Sequence, residues 1–450
     1  MSDRARTCGY TGCSQYPTSS TAAPASARAS AWYCIRGLRP RSPRTTTAMR
    51  ICRPGDCMNR NWSRQPAACQ GSPPRIVIAG GSTAGHVTIG LAIADAFRCA
   101  RPDADILFIG AHHGMECRLV PEAGYRLRTV AASPIAGATL IGKARGIMHA
   151  FAATRQARRV LREHGTDLVV GVGGYVSAGG VLAAWTRRVP TVIHEANVGA
   201  GVANRVMGRI VDRVYLGWAT TRDAFAASKV RLVGNPLRAG IGARQASAPI
   251  AGQAARVLVL GGSRGSGVLN ERVPDLLERV GALEANFAVT HQCGGDADAG
   301  ALRAAYAQRS IDAEVVPFID DIAGAYAGAH IAISSAGAVT MSELAASGLP
   351  AVLVPLPEAT GDHQTPNARM FAEATGGPWS GTVDWAPDGL ARRTASMMQD
   401  AEAWKVCAER VRALHRPHAA EALAEDCLKM FDGADDPDTE THSRTGSTMR

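Results

Sequence analysis

Three groups of residues in this sequence have the types and spacing for chemistry on a phosphorylated sugar. Gly80-Gly-Ser-Thr-Ala-Gly-His86 follows the apolar run 75–79, and Gly261-Gly-Ser263 follows the similar run 256–260. Glycines at such turns let backbone N–H groups approach a phosphate at the N-terminus of the next helix. His86 brings an imidazole whose ordinary pKa suits a general base, although a histidine that only braces its own turn fits the same residues. The second group, Ser334-Ser-Ala-Gly-Ala-Val-Thr-Met-Ser-Glu343, again joins small residues to a helix start. Glu343, about one turn in, has a carboxylate able to accept from both hydroxyls of a ribose or simply to complement the helix dipole. The third, Gly361-Asp-His-Gln-Thr-Pro-Asn367, offers the groups of Asp362, His363 and Gln364 to sugar hydroxyls. A turn capped by Asp362 or Thr365 is the plainer alternative.

These groups need a scaffold that brings strand ends and helix starts together. Apolar β-type runs alternate with helical patterns, the mark of parallel sheets with helices on both faces. Strands are predicted at 75–79, 105–109, 168–171, 190–194 and 211–216, then at 256–260, 286–290, 313–316, 329–334 and 350–354. The repeated start predicts an α/β fold of two Rossmann-like, doubly wound domains facing a central cleft. Ligands of such sheets sit beyond the carboxyl ends of the strands, where all three groups fall. Gly234-Asn-Pro236 and the stretch 239–255 read as the linker. The predicted division is 1–73 as a disordered extension, 74–236 and 237–432 as the two domains, and 433–450 as a loose tail.

Several function classes lose support. The strand 105–109 runs into Gly110-Ala-His112 with no carboxylate for an adenosine ribose, which argues against a nicotinamide or flavin enzyme. Neither glycine turn continues into Gly-Lys-Ser/Thr, so an ATPase is less favoured still. The net charge of +10 comes from residues 1–75, which hold twelve Arg against Asp3 and Asp56, while the remainder balances at 37 basic and 37 acidic. A nucleic-acid partner is therefore not expected. Six of the eleven cysteines lie in the first 73 residues without zinc-type spacing, and the other five are scattered, as in a reduced cytosolic protein. Nothing approaches a transmembrane span. The Arg/Ser/Pro-rich start fits an over-long gene start, with Met49 or Met58 as the true one, better than a transit peptide.

Gly80–His86, Gly173-Gly-Tyr-Val-Ser177, His194-Glu-Ala-Asn197, Gly234-Asn-Pro-Leu-Arg238, Gly261-Gly-Ser263, Phe318-Ile-Asp-Asp321 and Ala338–Glu343 occur in a fixed order. Over about residues 74–430 the chain thereby resembles the bacterial N-acetylglucosaminyltransferases that convert lipid I to lipid II. The resemblance implies a GT-B fold with acceptor lipid on the first half and UDP-N-acetylglucosamine mainly on the second. It implies that Ile319 contacts uracil, that Arg238 also holds the nucleotide, and that Glu343 holds the ribose. Ser263 and the turn through Ala338, Val339, Thr340, Met341 and Ser342 would bind phosphate, and Gln364 would read the sugar. Thr83, Ala84, Gly85, His86, Tyr175 and Asn197 would line the acceptor side. Inverting transfer then needs neither metal nor other cofactor: helix N-termini and fixed N–H groups stabilise the departing UDP. His86 is the first choice of general base. The Asp-x-Asp runs at 103–105 and 296–298 read as solvated turns or caps.

The sequence departs from the family pattern mainly on the acceptor side. The first loop carries one residue more and one glycine fewer than Gly-Gly-Thr-Gly-Gly-His, and Thr88-Ile89 stands for Phe-Pro. Ala196 replaces a Gln, Ser177-Ala-Gly-Gly180 replaces Ser-Gly-Pro-Gly, and Ser335 replaces an Arg whose charge Arg264 would have to supply. Leu140, Ala144, Ile147, Met148 and Phe151 fall on one helical face, with Lys143, Arg145, Arg155, Arg158 and Arg159 beside it. Such a helix suits an anionic membrane surface, or else packs on the core with a solvated basic side. With the lipid-linked acceptor, it points to a peripheral enzyme on the cytoplasmic side of the inner membrane. Alternatives are another GT-B transferase with a different lipid or small-molecule acceptor, a UDP-N-acetylglucosamine epimerase, and a non-catalytic UDP-sugar binder.

Overall fold

Alternation of mainly apolar strands with helices produces two parallel sheets. The structure, a computed structural model, describes residues 72–132, 140–262, 265–356, 360–381 and 385–431, with backbone alone at 140–150, 296–297 and 360. The extensions expected at 1–73 and 433–450 fall outside these residues, except for Ser72 and Pro73, and so do Ser263 and Arg264. All described residues belong to one compact unit, Gln65–Arg450.

The first sheet contains β1 (Arg75–Ala79), β2 (Asp105–Ala111), β3 (Arg126–Val130), β4 (Leu168–Gly171), β5 (Thr191–Glu195), β6 (Arg213–Leu216) and β7 (Val230–Leu232). Its order is β3-β2-β1-β4-β5-β6-β7. The helices of this half are α1 (Ala84–Ala100), α2 (Glu116–Glu122), α3 (Leu140–His164), α4 (Tyr175–Trp185) and α5 (Val202–Met207). The second sheet contains β8 (Ala255–Leu260), β9 (Phe287–Gln292), β10 (Ala313–Val316), β11 (Ile331–Ser334) and β12 (Ala351–Leu353), ordered β10-β9-β8-β11-β12. Around it lie α6 (Gly267–Gly281), α7 (Asp296–Gln308), α8 (Ile322–Gly328), α9 (Ala338–Ser347), α10 (Gln364–Thr375), α11 (Pro387–Gln399) and α12 (Ala401–Ala413), and a last helix, α13 (Ala419–Lys429), follows.

All ten predicted strands are present, with ends within two residues of the expected ones. The two unforeseen strands, β3 and β7, are the outer edges of the first sheet. Arg-Leu-Arg-Thr-Val and Val-Arg-Leu carry the charges that edge strands use against further pairing, and those charges hide a strand pattern.

Successive residues of a strand face opposite sides, so β1 serves two cores at once. Ile76 and Ile78 pack with Ile89, Ile93 and Phe97 of α1, while Val77 and Ala79 pack with Ala157 and Leu161 of α3 and Val176 of α4. Ala153, Ala157 and Leu161 recur every four residues, and the intervening Arg155, Arg158 and Arg159 are exposed. Over its described side chains α3 is therefore a core-packed helix with a solvated basic side. The side chains of Leu140, Ala144, Ile147 and Met148 lie outside the described ones.

One crossing is invisible to a linear reading. The last helix, α13, leaves the second half and buries Leu423, Ala424 and Cys427 in the first half's core. Asp426 anchors it, accepting from the Tyr215 hydroxyl at 2.7 Å and pairing with Arg213 at 2.8 Å.

Candidate functional site

In each sheet the strand order reverses beside its first strand, between the parallel pair β1 and β4 and between the parallel pair β8 and β11. The crevice at that reversal, beyond the carboxyl ends, is where such sheets bind ligands. The described residues that leave these four strands include 80–83, 172–174, 261–262 and 335–337, so the first two sequence groups converge by topology.

On the first half, Thr83 caps α1: its hydroxyl accepts from the His86 backbone N–H. Ala84 and Gly85 form the helix start. His86 Nδ1 lies 3.2 Å from the Gly81 carbonyl and 3.1 Å from the Thr83 hydroxyl. A carbonyl only accepts, so the tautomer that satisfies this geometry carries its proton on Nδ1 and leaves the Nε2 lone pair available. That nitrogen faces Gly173, where a Cβ would come within 2.7 Å of it. Burial lowers the His86 pKa below its ordinary value; the Gly81 hydrogen bond, Glu195 and Glu116 act against burial, and His363 acts with it. The imidazole is accordingly neutral near pH 7, as a base must be. Tyr175 opens α4 after Gly173 and Gly174 and is half-buried.

On the second half, α9 starts after Gly337, which offers no side-chain acceptor to the helix N–H groups. Those groups and the positive end of the helix dipole suit a phosphate. Glu343 is buried, its Oε1 accepting from Arg238 at 3.1 Å and its Oε2 from the Tyr326 hydroxyl at 2.9 Å. The carboxylate is thus held at two points, with lone pairs remaining for a third donor. Gln364 Oε1 accepts from the N–H groups of Ala336 and Leu356, which fixes the loops after β11 and β12 and leaves its Nε2 for a ligand. Ile319 packs half-buried against the second core beside exposed Phe318. Met341 is fully buried in that core, and Ser342 donates to the Ala338 carbonyl while accepting from Asn235. These two side chains hold α9 in place. Ser263 lies outside the described residues.

The two halves touch at the candidate site. Gly85 of α1 faces Val339 of α9, and a Cβ on the glycine would stand 3.4 Å from the valine. Asn367 is fully buried: it accepts from Val198 N–H at 2.9 Å and donates to Asn197 Oδ1 at 3.2 Å and the Ala336 carbonyl at 3.0 Å. Asn235 donates to both the Ala196 carbonyl and Ser342. The structure therefore brings Thr83, Ala84, Gly85, His86 and Asn197 of one half close to the α9 start, Gln364 and Asn367 of the other.

Sequence reasoning passed over three polar groups in this region. Glu116, buried in α2, accepts from the N–H groups of Ser82 and Ala111, each at 2.8 Å. Its carboxyl fills space left by glycine, because a Cβ at Gly81, Gly110 or Gly114 would run into it. A glycine-rich turn two residues before a lone acid was the available signal. Glu195 accepts from Asn197, Gly201 N–H and Asn204, shaping the loop that carries Asn197. Asn367 stood in the third motif, but only the fold shows that it reaches the other half.

Residues 76–216 match the glycosyltransferase family 28 N-terminal domain, and residues 256–422 match its C-terminal domain. The chain belongs to glycosyltransferase family 28. This family 28 chain is 35% identical over 354 residues to a protein of Geotalea daltonii, covering 78% of the chain and 96% of the relative. It is 37% identical over 327 residues to one of Syntrophotalea carbinolica, covering 72% and 90%. Both relatives are named UDP-N-acetylglucosamine–N-acetylmuramyl-(pentapeptide) pyrophosphoryl-undecaprenol N-acetylglucosamine transferase. The crystal structure of Acinetobacter baumannii MurG is similar, with 29% identity, a TM-score of 0.66, and coverage of 80% of this chain and 100% of that one. A Listeria monocytogenes structure described as a UDP-N-acetylglucosamine 2-epimerase, at 12% identity and a TM-score of 0.59, shares the fold.

Proposed function

We propose that this chain transfers N-acetylglucosamine from UDP-N-acetylglucosamine to the muramyl 4-hydroxyl of undecaprenyl-pyrophosphoryl-MurNAc-pentapeptide, converting lipid I to lipid II. The observation that carries this reading is the meeting of the α1 start, with its neutral histidine, and the uncapped α9 start. It occurs in a chain that spans 96% of a relative named for this transfer.

In this reading residues 74–236 hold the acceptor and 237–432 the donor. Ile319 and Arg238 contact the uridine, and Glu343 accepts from the ribose hydroxyls. The first turn of α9, from Ala338 to Thr340, and Ser263 receive the diphosphate, while Met341 and Ser342 hold that helix in place, and Gln364 donates Nε2 to the sugar. Thr83, Ala84, Gly85, Tyr175 and Asn197 border the incoming muramyl group. The acceptor oxygen bonds to the anomeric carbon as the bond from that carbon to the β-phosphate oxygen breaks. His86 Nε2 takes the hydroxyl proton, and UDP leaves with the bonding pair. Negative charge grows on UDP at the α9 N-terminus, where fixed N–H dipoles stabilise the transition state more than the ground state.

The lipid-linked acceptor calls for membrane contact. Among the described residues no helix is long and apolar enough to cross a membrane. Phe151 of α3 and Trp185 at the end of α4 are exposed, and Arg158 joins these helices through Thr186 at 3.2 Å. With Arg155 and Arg159 they suit a peripheral site on an anionic cytoplasmic face.

The test is product identification. Labelled UDP-N-acetylglucosamine and a lipid I analogue should give a lipid-extractable product heavier by one N-acetylhexosamine. Label that stays wholly water-soluble, with UDP-N-acetylglucosamine intact, would exclude the reading.

A further inference from the structure

Glu116 and His86 do not touch, yet they are joined through one peptide unit. The carboxylate accepts at Oε2 from the N–H of Ser82, at 2.8 Å. The carbonyl of that same peptide belongs to Gly81, and it lies 3.2 Å from His86 Nδ1. The other carboxylate oxygen accepts from Ala111 N–H at the end of β2, also at 2.8 Å. Glu116 is 1% exposed and seated among three glycines, so it has no room to turn away.

We propose that Glu116 is a positioning residue for the transfer, fixing and polarising the Gly81–Ser82 peptide so that its carbonyl holds His86 as the Nδ1–H tautomer and leaves the Nε2 lone pair, beside Gly173, to accept a proton. Three features carry the argument. A peptide is a rigid plane, so anchoring its N–H fixes the direction of its C=O. An acceptor carboxylate at the N–H end draws the peptide dipole further, which strengthens the carbonyl as acceptor in a low-dielectric setting. Ser82 has φ +77°, a conformation costly for a residue with a side chain, so the loop needs an outside hold to stay in it. The arrangement does through a peptide what a carboxylate bonded directly to a histidine does elsewhere: it sets tautomer and ring orientation.

The charged and titratable groups facing His86 are Glu116 from α2, His194 and Glu195 from β5, and His363 ahead of α10. Glu116 and Glu195 favour the imidazolium, whereas His363 and burial oppose it. Removing the Glu116 charge should therefore lower the His86 pKa further.

The inference rests on His86 being the base, so its test separates the two claims. The full chain is labelled at histidine nitrogens, with the His86 resonance assigned by loss in His86→Asn. In the unmutated protein the neutral tautomer should be Nδ1–H; an Nε2–H tautomer overturns the proposal without any mutant. Glu116→Gln should lower the His86 pKa, weaken that tautomer preference and cut kcat about a hundredfold, with KM for UDP-N-acetylglucosamine within twofold. Glu116→Asp should restore part of the rate. In a His86→Ala background the Glu116→Gln change should cost no further kcat. An unchanged His86 titration and tautomer in folded Glu116→Gln would refute the link. If His86→Ala turned over normally, the base assignment would fail while the resonance measurement still decided whether Glu116 governs the ring.

Discussion

Glu343→Ala separates a ribose contact from a purely structural carboxylate. In the free protein Glu343 accepts from a buried tyrosine hydroxyl and from a guanidinium that is 46% exposed. Deleting the carboxylate leaves the Tyr326 hydroxyl buried with no acceptor, at about 1–3 kcal/mol. Losing the half-exposed Arg238 pair adds about 0–1 kcal/mol. Stability should therefore fall by about 1–4 kcal/mol, with most of that loss restored in Glu343→Gln, whose amide oxygen still accepts from Tyr326. Binding should behave differently. A lost charge-assisted bond to ribose is worth about 1.5–3 kcal/mol, about ten- to a hundredfold in UDP affinity, and the amide recovers little because one of its ends cannot accept. Calorimetric titration of both variants with UDP and 2′,3′-dideoxy-UDP reads this directly. The loss should be large for UDP and small for the dideoxy ligand. Equal losses for the two ligands would mean that Glu343 only anchors Arg238 and Tyr326.

Ser82→Gly relieves the left-handed backbone at φ +77° and should raise stability by about 0.5–1 kcal/mol in urea unfolding, less than the full strain because glycine also loosens the unfolded chain; a drop would show that the loop is unstrained. Asn367→Ala removes one acceptor and two donor contacts at the junction of the halves. It should cost about 2–4 kcal/mol and raise KM for the donor, and a stability loss with unchanged KM would make Asn367 structural only. Burial lowers the pKa of His194 to about 4 and of His291 to about 3. The unfolded chain then takes up protons first, so stability present above pH 6.5 is lost as pH falls towards those values. Between pH 7.5 and 5.5 the two residues should remove about 3 kcal/mol, and His291→Gln should roughly halve that dependence; a stability flat over this range would contradict their burial as neutral rings.

Much of the scaffold was legible because interior strands are apolar runs and the glycine turns stand where such runs end. The strands that begin at or next to Arg75 and Arg256 and the helix starting at Ala338 follow from that contrast. The edge strands were hidden by the arginines that protect them, and α13 because nothing local in Leu423, Ala424 and Cys427 says which of two cores they enter. Within the candidate site, His86, Glu343 and Gln364 stood out because each follows a glycine turn within about two helical turns, and the structure gives each defined partners. Glu116, Asn367 and Tyr326 did not stand out, since each acts across long sequence separation on a backbone group or on another side chain. A buried polar residue reveals its work only through partners that the fold selects. Two motif positions, Met341 and Ser342, serve packing, because these faces of α9 turn into the core and towards Asn235.

Transfer to a lipid-linked hydroxyl with His86 as base can be followed as UDP release from UDP-N-acetylglucosamine with and without a lipid I analogue, in the unmutated chain and in His86→Ala. Release should be slow alone and strongly stimulated by the analogue, and His86→Ala should cut the stimulated rate about a hundredfold or more while UDP affinity stays within twofold. Release that ignores the acceptor, or conversion of the donor to its manno epimer, would exclude transfer to a lipid-linked hydroxyl.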